Sequence, residues 1–296
     1  MEPIKEYEIG EGIFHYCIEK DKISIINFEG TTNQLTIPER IEEFEVTGIS
    51  KKAYYGNRFL QYLILPETIA VIGDWAFAGC QALQKVVLPK KEITLGKQLF
   101  WKSYHLQEIA FQGCSPQLAK LMAASVTMLD AEYLLHPEQA GSDIWYRNFD
   151  NRMLTVLREP EENALKNLVY CAEEDMCGKQ DACIRRQEYE KARLALHRIT
   201  YDEGLSLEIG EYLSNYICQR TKGCEEESSW EVVKEELQEQ KAYCEKLFAI
   251  GALHEENFNA ALEDLGENHI ELKAYLLSRW MEKKREKSVW NDLELG

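Results

Sequence analysis

Hydrophobic positions in the first third of the chain recur every 23 residues. Three segments that begin with leucine and alternate apolar with polar positions lie one such step apart, at 60–66, 83–89 and 106–112. In the middle segment Val86 and Leu88 alternate with Lys85 and Val87, the period-2 pattern of a short β-strand with one buried face. A fixed period of this length is typical of stacked supersecondary units. We therefore predict one short strand per repeat, stacked as a parallel ladder.

The positions between these strands keep the same step. Matching sets are Ile49, Ile72 and Leu95; Gly73 and Gly96; Tyr54, Phe77 and Phe100; and the small residues Asn57, Cys80 and Ser103. An earlier strand copy at 35–38 lies farther upstream than one step, which predicts an insertion at about 42–46. Residues 7–29 read as two strands around a turn at 19–21, and we predict that this β-hairpin caps the ladder.

The alternation also predicts which side chains point outward from the ladder. These are the candidate protein-binding residues, in two rows: Gln34, Tyr62, Lys85 and Glu108 in one, and Thr36, Ile64, Val87 and Ala110 in the other. Tyr62 and Ile64 have the strongest character of contact residues, because aromatic side chains are enriched at the centres of interfaces. The alternative is a solvated sheet face with incidental β-formers.

One copy of the repeat carries a recognisable motif. Residues 72–83, Ile-Gly-Asp-Trp-Ala-Phe-Ala-Gly-Cys-Gln-Ala-Leu, are followed by Val86-Val87-Leu88-Pro89. This pattern resembles the BspA-like leucine-rich repeat, and the resemblance extends over about residues 8–114. It implies a curved right-handed solenoid, and it implies adhesion at a cell surface as one possible role.

After Ser115-Pro116, a helix-start signal, the hydrophobic period changes to about 3.6. Apolar residues follow this spacing through most of the remaining chain, with breaks at glycine and proline, which predicts seven to nine helices. The stretch 259–277 loosely resembles an ankyrin-type helix pair. We therefore predict two domains: a repeat domain at 1–114 (cap 1–30, repeats 31–114) and an all-helical domain at 115–296, either a bundle or an irregular α-solenoid.

Charge supports this division and narrows the partners. The chain has a net charge of −17, with 12 basic and 15 acidic residues before position 115 and 22 against 36 after it. Net negative charge repels nucleic-acid phosphates and anionic membranes, so neither is expected as a partner. The sequence shows neither a signal peptide nor an apolar stretch long enough for a membrane span. We expect a cytoplasmic protein.

Familiar catalytic and metal motifs are absent from the sequence. The nine cysteines have irregular spacings without Cys-x2–4-Cys pairs, which favours free, packed thiols over a zinc site. Phosphate-binding loops, nucleophile elbows and His-Glu-x-x-His helices do not occur. A nucleophile pair of His197 with Cys218 or Cys244 is conceivable but has no support from spacing. Cofactors are not expected.

The fold class is thus α+β multidomain: a short leucine-rich-repeat β-solenoid with an N-terminal hairpin cap, followed by helices. The leading functional hypothesis is a non-catalytic scaffold that binds an unidentified protein through the strand face, the helical domain or both. Three alternatives stay open: cell-surface adhesion, an enzyme whose site lies in the helical half or near Trp101, Tyr104 and Trp145, and a purely structural pairing of the two halves within a larger assembly.

Overall fold

The computed structural model describes residues 3–129, 134–136, 139–160, 177–221 and 227–294. The chain divides into two compact units, residues 1–159 and 160–296. The change from strands to helices falls at residue 116, close to the predicted change. The boundary between the two compact units lies later, because the helices Pro116–Ser125 and Asp143–Arg158 belong to the first unit. A domain boundary at residue 114 therefore stays a prediction.

The first unit begins with an antiparallel meander. Strands β1 (Lys5–Ile9), β2 (Gly12–Glu19) and β3 (Lys22–Glu29) pair in sequence order, and β3 then pairs in parallel with the first repeat strand of the same sheet. The turn residues Lys20 and Asp21 both have positive φ, 52° and 61°. The two-residue turns that connect hairpin strands most often require this conformation. The predicted hairpin cap is confirmed, with β1 as an additional strand.

Each repeat contributes one strand to each of two sheets. The sheet that we call the ladder consists of four parallel strands, β4 (Gln34–Thr36), β7 (Tyr62–Ile64), β9 (Lys85–Val87) and β11 (Glu108–Ala110). The other sheet, the back sheet, continues the meander with β6 (Phe44–Ile49), β8 (Val71–Ile72) and β10 (Thr94–Leu95). The predicted insertion forms a small hairpin between β5 (Arg40–Ile41) and β6, turning at Glu42.

The repeat core lies between the two sheets. Its central leucine-type positions Leu35, Leu63, Val86 and Ile109 are fully buried. A row of rings runs through the same core from Phe14 and Phe28 to Tyr54, Phe77 and Phe100, with successive ring centroids 5.0, 6.2, 5.5 and 5.6 Å apart. The 23-residue step is therefore the step from one ring to the next in the repeats.

The small residues at the turn positions connect neighbouring repeats. The Cys80 thiol donates to the carbonyl of Tyr54 at 3.0 Å, and the Ser103 hydroxyl donates to the carbonyl of Phe77 at 2.8 Å. Each side chain thus satisfies a backbone carbonyl of the repeat before it, which a buried backbone group requires. This explains why a small polar residue recurs at this position.

Helices close the first unit. Ser115 caps α1 (Pro116–Ser125), its hydroxyl accepting from the Leu118 amide at 3.2 Å, with Pro116 in the first turn as predicted. Helix α1 packs against β11, the last strand of the ladder. Helix α2 (Asp143–Arg158) is capped by Ser142 and buries Trp145, Tyr146 and Phe149.

The second unit is helical. Its helices are α3 (Cys177–Thr200), α4 (Leu207–Gln219), α5 (Ser228–Glu235), α6 (Gln240–Ala249), α7 (Phe258–Asp264) and α8 (Ile270–Glu294). Together with α1 and α2 they make eight helices in the described part of the chain, within the predicted range. Helix α3 packs against α4, α5 and α6, the arrangement of a small bundle around one helix.

Ten successive residues of α3, 190–199, are buried, including charged ones. The guanidinium of Arg193 meets the carboxylate of Glu236, with Nε 2.7 Å from Oε1. Burial alone would lower the pKa of Arg193, but the carboxylates of Glu236 and Glu190 raise it overall. Electrostatic pairing therefore keeps this cation charged inside the unit.

Candidate functional site

The ladder brings the predicted outward residues together in register. Gln34 pairs with Tyr62, Tyr62 with Lys85, and Lys85 with Glu108, so that these four side chains form one row across the strands. The neighbouring row is built in the same way from Thr36, Ile64, Val87 and Ala110. We call the surface formed by these two rows the strand face. The structure thus assembles every candidate residue on one surface.

The first row is polar and ordered by contacts between repeats. The Nζ of Lys85 lies 2.5 Å from Oε2 of Glu108, with both side chains partly exposed. The Tyr62 hydroxyl donates to Oε1 of Gln84 at 3.1 Å, and the Tyr62 side chain is 39% exposed. A partly exposed cross-strand ion pair contributes only about 0.2–1 kcal/mol to stability. These contacts hold the row in place more than they hold the fold together.

The second row is mainly apolar. Thr36 is exposed, whereas Ile64, Val87 and Ala110 are half-buried on the same surface. An apolar stripe beside a row of charged and aromatic side chains is the mixed composition of protein interfaces. The arrangement can form contacts and hydrogen bonds with another molecule.

The size of the strand face limits what it can do alone. Four strands at a spacing of about 4.8 Å and three residues at about 3.3 Å each give a patch of roughly 15 by 10 Å. Stable protein interfaces bury about 800 Å² on each partner. The strand face can therefore be the centre of an interface, with its margins supplied by neighbouring loops.

The buried thiols have raised pKa values. Burial raises the pKa of Cys80 and that of Cys244 to about 12 each. Burial also raises the pKa of the Cys114 and Cys218 thiols. Since the thiolate is the nucleophilic form, these cysteines are in the less reactive protonated state at neutral pH.

Two of the residues named for a catalytic site, His197 and Trp145, are buried. His197 is buried between the rings of Tyr201 and Tyr243, with centroids 6.1 and 5.5 Å away. Trp145 is buried in α2, where its indole donates to the carbonyl of Leu134 at 3.0 Å. Within the described ranges, His, Cys, Asp and Glu side chains form no group of three that could hold a metal ion.

The second unit carries an open groove of about 500 Å³ along α4 and α6. Asp202 and Lys246 line it and pair across 3.2 Å, beside the hydroxyls of Ser206 and Ser214. This groove is wide and open to solvent, and its ion pair is an exposed one. Its residues were not singled out by the sequence.

Surface side chains outside the ladder, two of them exposed and the tryptophan half-buried, form a second surface that was not predicted from the sequence. Lys52, Trp75 and Gln98 lie one 23-residue step apart, two positions before the repeating rings Tyr54, Phe77 and Phe100. The same periodicity that revealed the rings could have revealed this set. Its variable chemistry, with a lysine, a tryptophan and a glutamine, hid the repeat.

Membrane insertion has no candidate helix in the described ranges, because none is both long and apolar enough to cross a bilayer. No curated protein matches the chain.

Similar solved structures each cover somewhat more than a third of this chain. A leucine rich cell surface protein from Faecalibacterium prausnitzii is 21% identical with a TM-score of 0.32, covering 38% of this chain and 32% of its own. A leucine-rich repeat protein from Bacteroides capillosus is 19% identical with a TM-score of 0.29, covering 36% and 99%. The T. pallidum leucine-rich repeat protein is 21% identical with a TM-score of 0.28, covering 37% and 65%. This chain thus spans about a third of the length of the first of these proteins.

The family match is specific to the repeats. Residues 47–122 match the family described as BspA type leucine rich repeat region (6 copies). The match begins within β6 and ends within α1, so the cap and the first ladder strand lie outside it. The resemblance read from residues 72–89 is confirmed by this match over residues 47–122 to the BspA-type leucine-rich repeat.

Proposed function

We propose that this chain is a non-catalytic interaction module that binds a partner protein through the strand face. The observation that carries the proposal is the register of the ladder, which places Tyr62, Ile64 and Val87 side by side next to the Lys85–Glu108 pair. Aromatic anchors beside apolar and charged groups are typical of interface centres.

The rigidity of the ladder favours binding. The amides of Tyr62, Lys85 and Glu108 donate to carbonyls of the preceding repeat, at 2.9, 3.0 and 3.0 Å. A face whose backbone is already fixed loses little conformational entropy when a partner binds. A small ladder can for this reason act as an effective anchor.

In this proposal the helices at 115–296, which carry most of the net negative charge, add contacts with the partner. Catalysis is not part of the proposal, since the buried thiols have raised pKa values and the groove along α4 and α6 is open to solvent. A cytoplasmic location is part of it. An adhesion role would be the same binding directed at a cell surface, and fractionation of producing cells distinguishes the two locations.

Affinity capture with two matched variants tests the proposal. Tyr62→Ala with Ile64→Ala truncates the strand face, and Ile4→Ala with Val71→Ala truncates two apolar residues that are 61% and 48% exposed outside both the ladder and the loops of the repeats. We expect the wild type and the control variant to capture the same partner protein. The strand-face variant should no longer capture it. Partners that remain bound to the strand-face variant would contradict the proposal, provided that both variants melt like the wild type.

A further inference from the structure

Three loops stack on one another where the chain leaves the back sheet. They span 50–57, 73–80 and 96–103, each one repeat step from the next, and amides of one loop donate to carbonyls of the next. The amide of Lys52 donates to the carbonyl of Asp74, and that of Trp75 to the carbonyl of Lys97, both at 3.0 Å. We call the outer surface of these loops the loop face. It is distinct from the strand face, since it lies on other segments of each repeat.

Aromatic rings and lysines alternate on the loop face. The Nζ of Lys52 lies 4.8 Å from the ring centroid of Trp75 and 5.3 Å from that of Tyr55, and the Nζ of Lys51 lies 5.2 Å from Trp75. Farther along, the Nζ of Lys102 lies 4.2 Å from the ring of Trp101. These distances are in the range of cation–π contacts, which hold the ammonium groups in defined positions.

The loop face is also positively charged on an acidic chain. Its loops contain four lysines, Lys51, Lys52, Lys97 and Lys102, and one carboxylate, that of Asp74. The Asp74 carboxylate accepts from the backbone amide of Lys97 at 2.9 Å. Within the described ranges, none of these four lysines forms an ion pair with a carboxylate. Their charge is therefore available to a partner, unlike that of Lys85 on the strand face.

The backbone supports a role for these side chains. Lys52, Trp75 and Gln98 all have positive φ, 62°, 56° and 51°, a conformation that glycine adopts without strain. Glycine does occupy two of the later left-handed positions, Gly56 and Gly79. A tryptophan in this region is an outlier that costs stability, and it persists although glycine would relieve the strain.

We propose that the loop face binds an acidic segment of a partner protein, with Trp75, Tyr55 and Trp101 contacting its side chains and the lysines pairing with its carboxylates. The indole of Trp75 is already positioned, since its Nε1 donates to Oε1 of Gln98 at 2.5 Å. Trp75 and Trp101 are half-buried at the surface and Tyr55 is 51% exposed, and Trp and Tyr are enriched among binding hot spots. A nucleic acid is a poorer occupant than a short acidic segment, because it carries a negative charge on every phosphate and the net charge of −17 repels it more strongly at long range.

Selection from a random-peptide display library on the purified full-length chain tests the proposal. We expect enriched peptides rich in Asp and Glu, whose affinity falls by at least about tenfold in Lys52→Glu with Lys102→Glu because complementary charges become repulsive. The control, Lys22→Glu with Lys90→Glu, makes the same change in charge at exposed lysines of β3 and of a different loop. The affinity of this control variant for the enriched peptides should stay within about twofold of that of the wild type, as expected for charges outside the interface.

Three outcomes would overturn the proposal: enriched peptides without acidic residues, peptides that bind the loop-face variant as well as the control, or an unenriched library. A fourth outcome would replace the acidic peptide with a nucleic acid as occupant. In that outcome single-stranded oligothymidylate binds the wild type tightly and does not bind the loop-face variant. Indole Nε1 proton shifts of Trp75 and Trp101, assigned with Trp75→Phe and Trp101→Phe, give an independent readout. An enriched acidic peptide must shift them.

Discussion

The hydroxyl of Tyr54 is buried beside the ring of Phe77, the residue that occupies the same position in the next repeat. The two ring centroids are 5.5 Å apart, and the Tyr54 hydroxyl has no hydrogen-bond partner in the described part of the chain. Burial raises the pKa of Tyr54 above its ordinary value, so the hydroxyl stays protonated. One repeat therefore carries a polar atom in a position that the other repeats fill with phenylalanine.

We predict that Tyr54→Phe stabilises the first unit. Removing a buried hydroxyl that lacks a partner should raise the free energy of unfolding by about 1 kcal/mol. Urea denaturation measures the change. The reciprocal variant Phe77→Tyr serves as the control and should lower the free energy of unfolding. A Tyr54→Phe chain that is less stable than the wild type would show that the hydroxyl has a partner.

The close contact between neighbouring repeats at Gly73 leads to a second prediction. A Cβ built on Gly73 would lie 2.5 Å from the amide nitrogen of Lys51 in the preceding loop, which is backbone and cannot rotate away. We expect Gly73→Ala to lower the free energy of unfolding by about 2–3 kcal/mol, in the upper range for overpacking. Gly10→Ala, where a Cβ meets nothing within 4 Å, is the matched control and should change stability by less than about 0.5 kcal/mol.

The loop face offers a prediction that separates stability from binding. Lys102 has a φ of 60° at the position where the two preceding repeats have Gly56 and Gly79. Lys102→Gly should raise the free energy of unfolding by about 1 kcal/mol, because glycine lacks the Cβ clash of the left-handed region. The same change should weaken binding of an acidic peptide.

Thermal melts and peptide titrations of one sample check both parts. Lys97→Gly removes a neighbouring lysine at an ordinary φ and should be destabilising, because glycine loses more backbone freedom on folding. A Lys102→Gly chain that is as destabilised as Lys97→Gly would contradict the assignment of strain at position 102.

Acid should weaken one contact of the second unit. The carboxylate of Glu245 accepts two hydrogen bonds from Arg279, at 2.5 and 2.7 Å, and one from the Tyr275 hydroxyl at 2.6 Å. The Arg279 contact, followed by that of Tyr275, lowers the pKa of Glu245 below its ordinary 4.5 although burial opposes the shift. A carboxyl with a lowered folded-state pKa stabilises the fold fully above its unfolded pKa. That contribution disappears as the pH falls through the folded-state pKa.

We therefore predict that Glu245→Gln is less stable than the wild type at neutral pH and that this difference shrinks as the pH drops below about 4.5. Urea denaturation over a pH series measures it. In an Arg279→Gln background the effect of Glu245→Gln should be much smaller at every pH, since the pair is already broken. A difference that stays constant down to strong acid would show that the ionised pair does not contribute.

The sequence predicted the ladder well because its signal is repeated. The 23-residue step fixed both the strand positions and the register of Gln34, Tyr62, Lys85 and Glu108, since residues one step apart must be neighbours in a stacked repeat. The back sheet was not predicted. Its strands β8 and β10 are two residues long, too short to show alternation, although Ile72 and Leu95 had been recognised as recurring positions.

Other features depend on tertiary contacts that the sequence does not display. Residues 190–199 of α3 contain charged side chains, which residue type alone does not place inside a fold, yet all are buried, and ion pairs such as Arg193–Glu236 satisfy these charges. The loop face was missed for a related reason. Lys52 and Trp75 come together only through stacking of loops, and the property they share, a left-handed backbone, is not visible in residue type.

The central claim is that the strand face contacts a partner protein, and site-specific photo-crosslinking in the cells that produce the protein tests it most directly. A benzophenone amino acid replaces Tyr62 in one sample and Val71, 48% exposed in β8 of the back sheet, in the other. We expect irradiation to link one defined protein to position 62 and this adduct to be absent at position 71. An adduct that forms at position 71 and is missing at position 62, or no adduct at position 62, would contradict it.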